Sequence, residues 1–149
     1  MELSKYPLAS SDKMLTFEFI SEGNKGMIHK LVEYQPTNLT GVYNLAFGDK
    51  NAGTGKIDDE TISNNGDSEK VLATVSNTIY AFTDKYPNAW IYAAGNNKAR
   101  TRLYRMGISK FHKQVKNDFE IQGELENGWE DFELGTDYEG FLFRRKNKK

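Results

Sequence analysis

Large apolar and polar residues alternate through Leu15-Thr16-Phe17-Glu18-Phe19-Ile20, pause at Gly23-Asn24-Lys25-Gly26, and resume from Met27 to Tyr34. A period of two is the mark of a strand with one buried face, and two such runs around a Gly/Asn turn predict a β-hairpin. Pro36-Thr37-Asn38 breaks the second run, and Val42 to Phe47 predicts a third strand ending at Gly48-Asp49. The first third of the chain therefore reads as an antiparallel meander. Residues 48 to 66 are rich in Gly, Asn and Asp; Lys56 to Ile62 fits an extended segment, but Asp58-Asp59-Glu60 is too acidic for a buried strand. A connection of this length is more often functional than idle.

From Asp67 the period changes. Val71, Val75, Ile79, Phe82 and Tyr86, widened by Leu72, recur every three or four residues, which predicts a helix that Pro87 ends. Ser63, Asn64, Asn65 and Asp67 are capable N-caps, and Asp67, Ser68 and Glu69 suit the positive end of the helix dipole. Trp90 to Ala94 predicts a short central strand. A second helix is expected over Asn97 to Met106, with Ala99, Leu103 and Met106 on its apolar face and Gly107 as its C-terminal cap. Phe119 to Leu125 and Tyr138 to Phe143 predict the last two strands, with an extra strand near Trp129 to Leu134. The order β-β-β-α-β-α-β-β predicts an α+β domain over 1–149 with one mixed, largely antiparallel sheet and two helices. The basic tail 144–149 is expected to fray.

The 149 residues suit one domain, and 38% hydrophobic with 13% aromatic residues supplies a core. The chain has no cysteine, which removes disulfides and thiolate metal sites, and two histidines are too few for a histidine-rich one. No metal or other cofactor is expected. No apolar run approaches the roughly 20 residues of a membrane span, and residues 1–11 lack a signal-peptide pattern, so a cytoplasmic location is expected. Net charge is −1, but its distribution is uneven. Lys98 to Lys116 holds seven Lys/Arg and no acid, while Asp118 to Glu139 holds nine Asp/Glu and no base. These blocks either neutralise one another across adjacent elements or leave an anion-binding face, for nucleic acid among others, over 98–116.

Three constellations are candidates for chemistry. Asn64-Asn65-Gly66-Asp67, after Ser63, runs into a helix start whose amides can hold phosphate. Asp67 is itself an anion there, and the plainer reading is a capped helix. Asp58 and Asp59 could serve as acids or as partners of a cation; a solvated polar loop is the alternative. Arg100 and Arg102, with Arg105, crowd one short helix. They either pair with Asp58, Asp59 or Asp67 or bind an anionic ligand. His29 and His112 accompany no nucleophile pattern and receive no role.

Tyr43-Asn44-Leu45-Ala46-Phe47-Gly48-Asp49, Ser63-Asn64-Asn65-Gly66-Asp67 and Ala99-Arg100-Thr101-Arg102-Leu103-Tyr104 together resemble a bacterial family of unknown function, over nearly the whole chain. That resemblance implies a small stand-alone cytoplasmic protein and supplies no activity. More distantly, the central strand and Asn97 through Leu103-Tyr104-Arg105-Met106-Gly107-Ile108 resemble the second half of the GNAT acyl-CoA N-acyltransferase fold. This resemblance implies CoA pyrophosphate at Asn64-Asn65-Gly66-Asp67 and a general-acid role for Tyr104. The family's Arg/Gln-x-x-Gly-x-Gly/Ala loop and the two helices after its first strand are missing here. The expectation is thus a non-catalytic ligand- or partner-binding domain, with an acyltransferase as the rival and a nucleic-acid accessory as a third reading. Whether the chain is an enzyme, its ligand, its partner and its oligomeric state stay open.

Overall fold

The computed structural model describes residues 4–58, 64–94 and 98–146, with the backbone but not the side chain of Arg100. Asp59, Ser63 and the Arg100 side chain lie outside the described residues. Among the described residues twelve elements follow one another: β1 (Ala9–Ser10), β2 (Thr16–Gly23), β3 (Gly26–Pro36), β4 (Val42–Lys50), β5 (Ile57–Asp58), α1 (Ser68–Lys85), β6 (Trp90–Ala93), α2 (Lys98–Lys110), α3 (His112–Asp118), β7 (Phe119–Leu125), β8 (Gly128–Asp131) and β9 (Gly140–Arg145). Among the described residues the strands form one mixed, mostly antiparallel open sheet of order β1-β2-β3-β4-β6-β9-β7-β8, with β5 beside β4. The fold is α+β with a single sheet. β4 and β6 run parallel, Val42 to Asn44 against Trp90 to Tyr92. Parallel neighbours need a long crossover, and the chain between them contains α1.

The chain divides into two compact units, residues 1–34 with 46–85 and residues 35–45 with 86–149. In the first, the β2–β3 hairpin sets Phe17 opposite Val32 and Phe19 opposite Lys30. Tyr34 stacks on Phe82 of α1 with ring centroids 4.2 Å apart. Phe82 is fully buried, which stabilises the fold by about 2–3 kcal/mol relative to exposure. α1 buries Val71, Leu72, Ala73, Thr74, Val75, Thr78, Phe82 and Thr83, whereas Ile79 and Tyr86 of the predicted stripe are only half-buried. Threonine can be buried here because its hydroxyl returns to the helix: Thr74 Oγ1 donates to the Lys70 carbonyl and Thr78 Oγ1 to that of Val75, both at 2.7 Å.

In the second unit the inward sheet face carries Ile91, Ala93, Phe119, Phe141 and Phe143, all buried. Gly123 lies beneath the Tyr138 ring, where an added Cβ would meet ring atoms at 2.3 Å. The helical region differs from expectation in two ways. α2 does not stop at Gly107: Phe111 N–H donates to the Gly107 carbonyl at 3.1 Å, and α3 begins one residue after Phe111. Gly107 keeps a negative φ, so it is a tolerated interior glycine and no cap. The inward face of α2 is centred on buried Tyr104, while Met106 is 48% exposed and Ala99 is exposed. The Ala99/Leu103/Met106 stripe fails because the helix is turned to bury the larger aromatic ring.

Candidate functional site

The segment that leads into α1 is clasped onto the β2–β3 hairpin. Gly66 has φ +77°, a left-handed conformation that turns the chain at the helix start. The turn drives the Asn65 side chain inward, where it is 2% exposed. Its Oδ1 accepts from Lys25 N–H at 2.5 Å, and its Nδ2 donates to Ser21 Oγ at 3.1 Å and to the Gly26 carbonyl at 2.9 Å. Its backbone carbonyl accepts from Asn24 N–H at 3.0 Å. Asp67 Oδ2 accepts from Tyr6 OH at 2.6 Å and Ser21 Oγ at 2.5 Å. These O–H···carboxylate bonds are charge-assisted and stronger than neutral ones. Asn64 and Gly66 are exposed, and Asn64 Oδ1 accepts the Gly66 N–H.

Tyr6 is the unforeseen member. It lies before β1 in a stretch without periodicity, yet it is buried, stacks on Phe19 at 5.8 Å and receives Lys70 Nζ over its ring at 4.2 Å. Burial, and then its bond to Asp67, push the Tyr6 phenol above its ordinary value. The Ser21–Asp67 contact brings a hydroxyl to a carboxylate, but no imidazole completes a relay from His29. That residue pairs with Ile20 and so lies on the opposite sheet face from Ser21.

Asp58 sits in β5 opposite Asp49. Asp49 in turn holds Lys30, 6% exposed, at 2.5 Å. Tyr104 is buried, and Arg102 is exposed on α2. Of the basic residues of that helix, Arg105 pairs with Asp137 at 2.9 Å, and the acid side chain is 95% exposed. Water screens such a pair, so Arg105→Ala is expected to change stability by less than about 0.5 kcal/mol in chemical denaturation. Among the described residues no three His, Asp or Glu side chains converge as a metal site requires.

A different constellation occupies the outward sheet face of the second unit. Register places Trp90 beside Arg144, Arg144 beside Glu120, and Glu124 beside both Gly140 and Trp129. The Arg144 guanidinium lies 4.4 Å from the Trp90 ring centroid and bonds Glu120 at 2.9 Å. Tyr92 OH donates to Glu124 Oε1 at 2.6 Å, and the Trp129 ring meets the Tyr92 ring edge-on at 6.1 Å. Gly140 makes room for this pair: an added Cβ would lie 2.8 Å from Glu124 Oε1 and 3.0 Å from Tyr92 OH. Trp129 is 44% exposed. Alternation in 119–125 foretold a strand, but only the register reveals which aromatic each carboxylate meets.

Burial, the hydrogen bond to Glu124 and the charges of Glu124 and Glu139 push the Tyr92 phenol far above its ordinary value. Tyr138, bonded to Glu130, is raised too, chiefly by burial. Raised phenols bind protons more tightly when folded, so their stabilisation is complete below pH 10 and is lost as pH climbs through their folded values. Spectrophotometric titration should find Tyr6, Tyr92 and Tyr138 ionising late, together with unfolding. Eight phenols titrating as one group near pH 10 would contradict this.

The model of one family, described only as a family of unknown function, matches residues 2–146. The chain belongs to this family, DUF6934. No curated protein and no solved structure matches it. Within this DUF6934 chain, no helix among the described residues is long and apolar enough to cross a membrane.

Proposed function

We propose that the protein is a non-catalytic binding domain whose contact surface is the Trp90–Tyr92–Trp129 sheet face. The observation that carries this reading is Trp129, a large ring left 44% exposed beside Tyr92 on a face that also holds Arg144. Tryptophan, tyrosine and arginine are the residues that most often anchor protein interfaces. Asn65 and Asp67 fit this reading as architecture, since their hydrogen bonds go to the chain's own hairpin and Tyr6. A photo-crosslinking residue at position 129 should give a discrete adduct in cells. The same residue in place of Leu39, itself 64% exposed, should not. Equal or absent adducts at both positions would remove the proposal.

Acyl transfer from acyl-CoA is the rival reading, and two observations weigh against it. The Asp67 carboxylate stands beside the α1 start where pyrophosphate would need to dock, and Tyr104 is buried. Calorimetry with acetyl-CoA decides: heat of specific binding, lost in Asn64→Ala or Arg102→Ala, would restore it.

A further inference from the structure

Strand β8 ends the sheet, and its only strand neighbour among the described residues is β7. All four of its residues, Gly128-Trp129-Glu130-Asp131, are exposed. In such a strand alternate N–H and C=O groups point away from the sheet and can pair with another chain; here they belong to Trp129 and Asp131, and Tyr138 OH, which takes the Glu133 N–H, also lies 3.4 Å from the Asp131 carbonyl. Many open edges are guarded by lysine or proline. This one carries neither, and its polar residues are acids. Exposed Glu126, Glu133 and Glu139 add to the same charge. Arg105 pairs with Asp137 and Arg144 with Glu120, while Glu130 accepts a bond from the neutral Tyr138 hydroxyl.

Resting on the reading that the Trp129 face is a contact surface, we propose that β8 is extended by a basic, extended segment of a partner protein. Main-chain hydrogen bonds would join that segment to the outer edge of β8, as in strand addition generally. Its Lys or Arg side chains would meet Glu130, Asp131 and Glu133, and one on the outward face would lie against Trp129, which favours cations over its ring. A second copy of the chain is a poorer occupant, because edge-to-edge pairing would set Glu130 and Asp131 against their own kind. The aromatic surface supplies affinity, and the acidic edge selects the sign of the partner.

The test uses the full chain and fluorescence anisotropy with a labelled octapeptide of alternating lysine and valine. Two controls are a glutamate/valine octapeptide and the lysine peptide with alternate backbone nitrogens methylated. The lysine peptide is expected to bind and the glutamate peptide not to bind. Methylation, which removes the edge hydrogen bonds but keeps every charge, should weaken binding about tenfold or more. Trp129→Ala and Asp131→Asn should each weaken it, with circular dichroism unchanged, since both side chains are exposed. Equal binding of the methylated peptide would mean charge attraction alone and would overturn the proposal. So would equal binding of the glutamate peptide, or a concentration-dependent dimer abolished by Asp131→Asn. If the peptide fails while position 129 still crosslinks a partner, the strand-addition inference falls and the binding-face reading stands. If both fail, both fall.

Discussion

Gly23→Ala is expected to lower the unfolding free energy by about 3 kcal/mol, a substitution that normally costs little in a strand. Built on the Gly23 backbone, the new Cβ would lie 1.9 Å from the Asn65 carbonyl oxygen. That atom is backbone, so no side-chain rotation relieves the clash. Either the hairpin tip moves or the turn before α1 lifts, and both break the Asn24 N–H bond to Asn65. For a chain of this size the melting temperature should fall by about 10 °C. Gly53→Ala is the control: its Cβ would approach only the Asn51 side-chain oxygen, at 3.3 Å. That Oδ1 accepts the Gly53 and Thr54 N–H groups and must give by a few tenths of an ångström, a strain that the loss of unfolded-chain freedom partly offsets, so a change well below that of Gly23→Ala is expected. Equal melting temperatures for the two variants would show that the clasp yields.

Asn65→Ala should cost about 2–3 kcal/mol by a separate route. It removes one acceptor and two donor bonds from a side chain that is 2% exposed. Ser21 keeps its bond to Asp67, whereas Lys25 N–H and the Gly26 carbonyl must recruit water at the hairpin edge. The two substitutions loosen the same clasp, so the double variant should be less destabilised than the sum of the singles. Strict additivity in a denaturation cycle would mean that Gly23 and Asn65 act independently.

How much of this was legible depends on the range of the interaction. The β2–β3 hairpin and α1 were readable because alternation and the 3.6-residue period are local. The importance of Asn65 was visible as an excess of side-chain hydrogen-bonders before Gly66, but its partners were not. Lys25 and Ser21 lie about forty residues away and carry no pattern linking them to it. Tyr6 was silent for the same reason. Gly107 misled because a glycine before an apolar residue is shared by helix caps and helix interiors, and only Phe111, returning its N–H to that carbonyl, separates them. The outward face of Trp90, Tyr92 and Trp129 was hidden because these rings belong to two stretches far apart in the chain, β6 and β8.

The interleaved chain has a consequence for synthesis. Residues 35–45 leave the ribosome well before Trp90 to Tyr92, the strand that Val42 to Asn44 pairs with. In the interval residues 46–85 can complete the first unit. An emerging chain would therefore hold the first half of β4 without its β6 partner until translation is well advanced, and no contiguous fragment contains the whole second unit without α1. Splitting the gene between residues 85 and 86 would deprive the C-terminal piece of its parallel neighbour, leaving it prone to aggregate through the bare edge of β6.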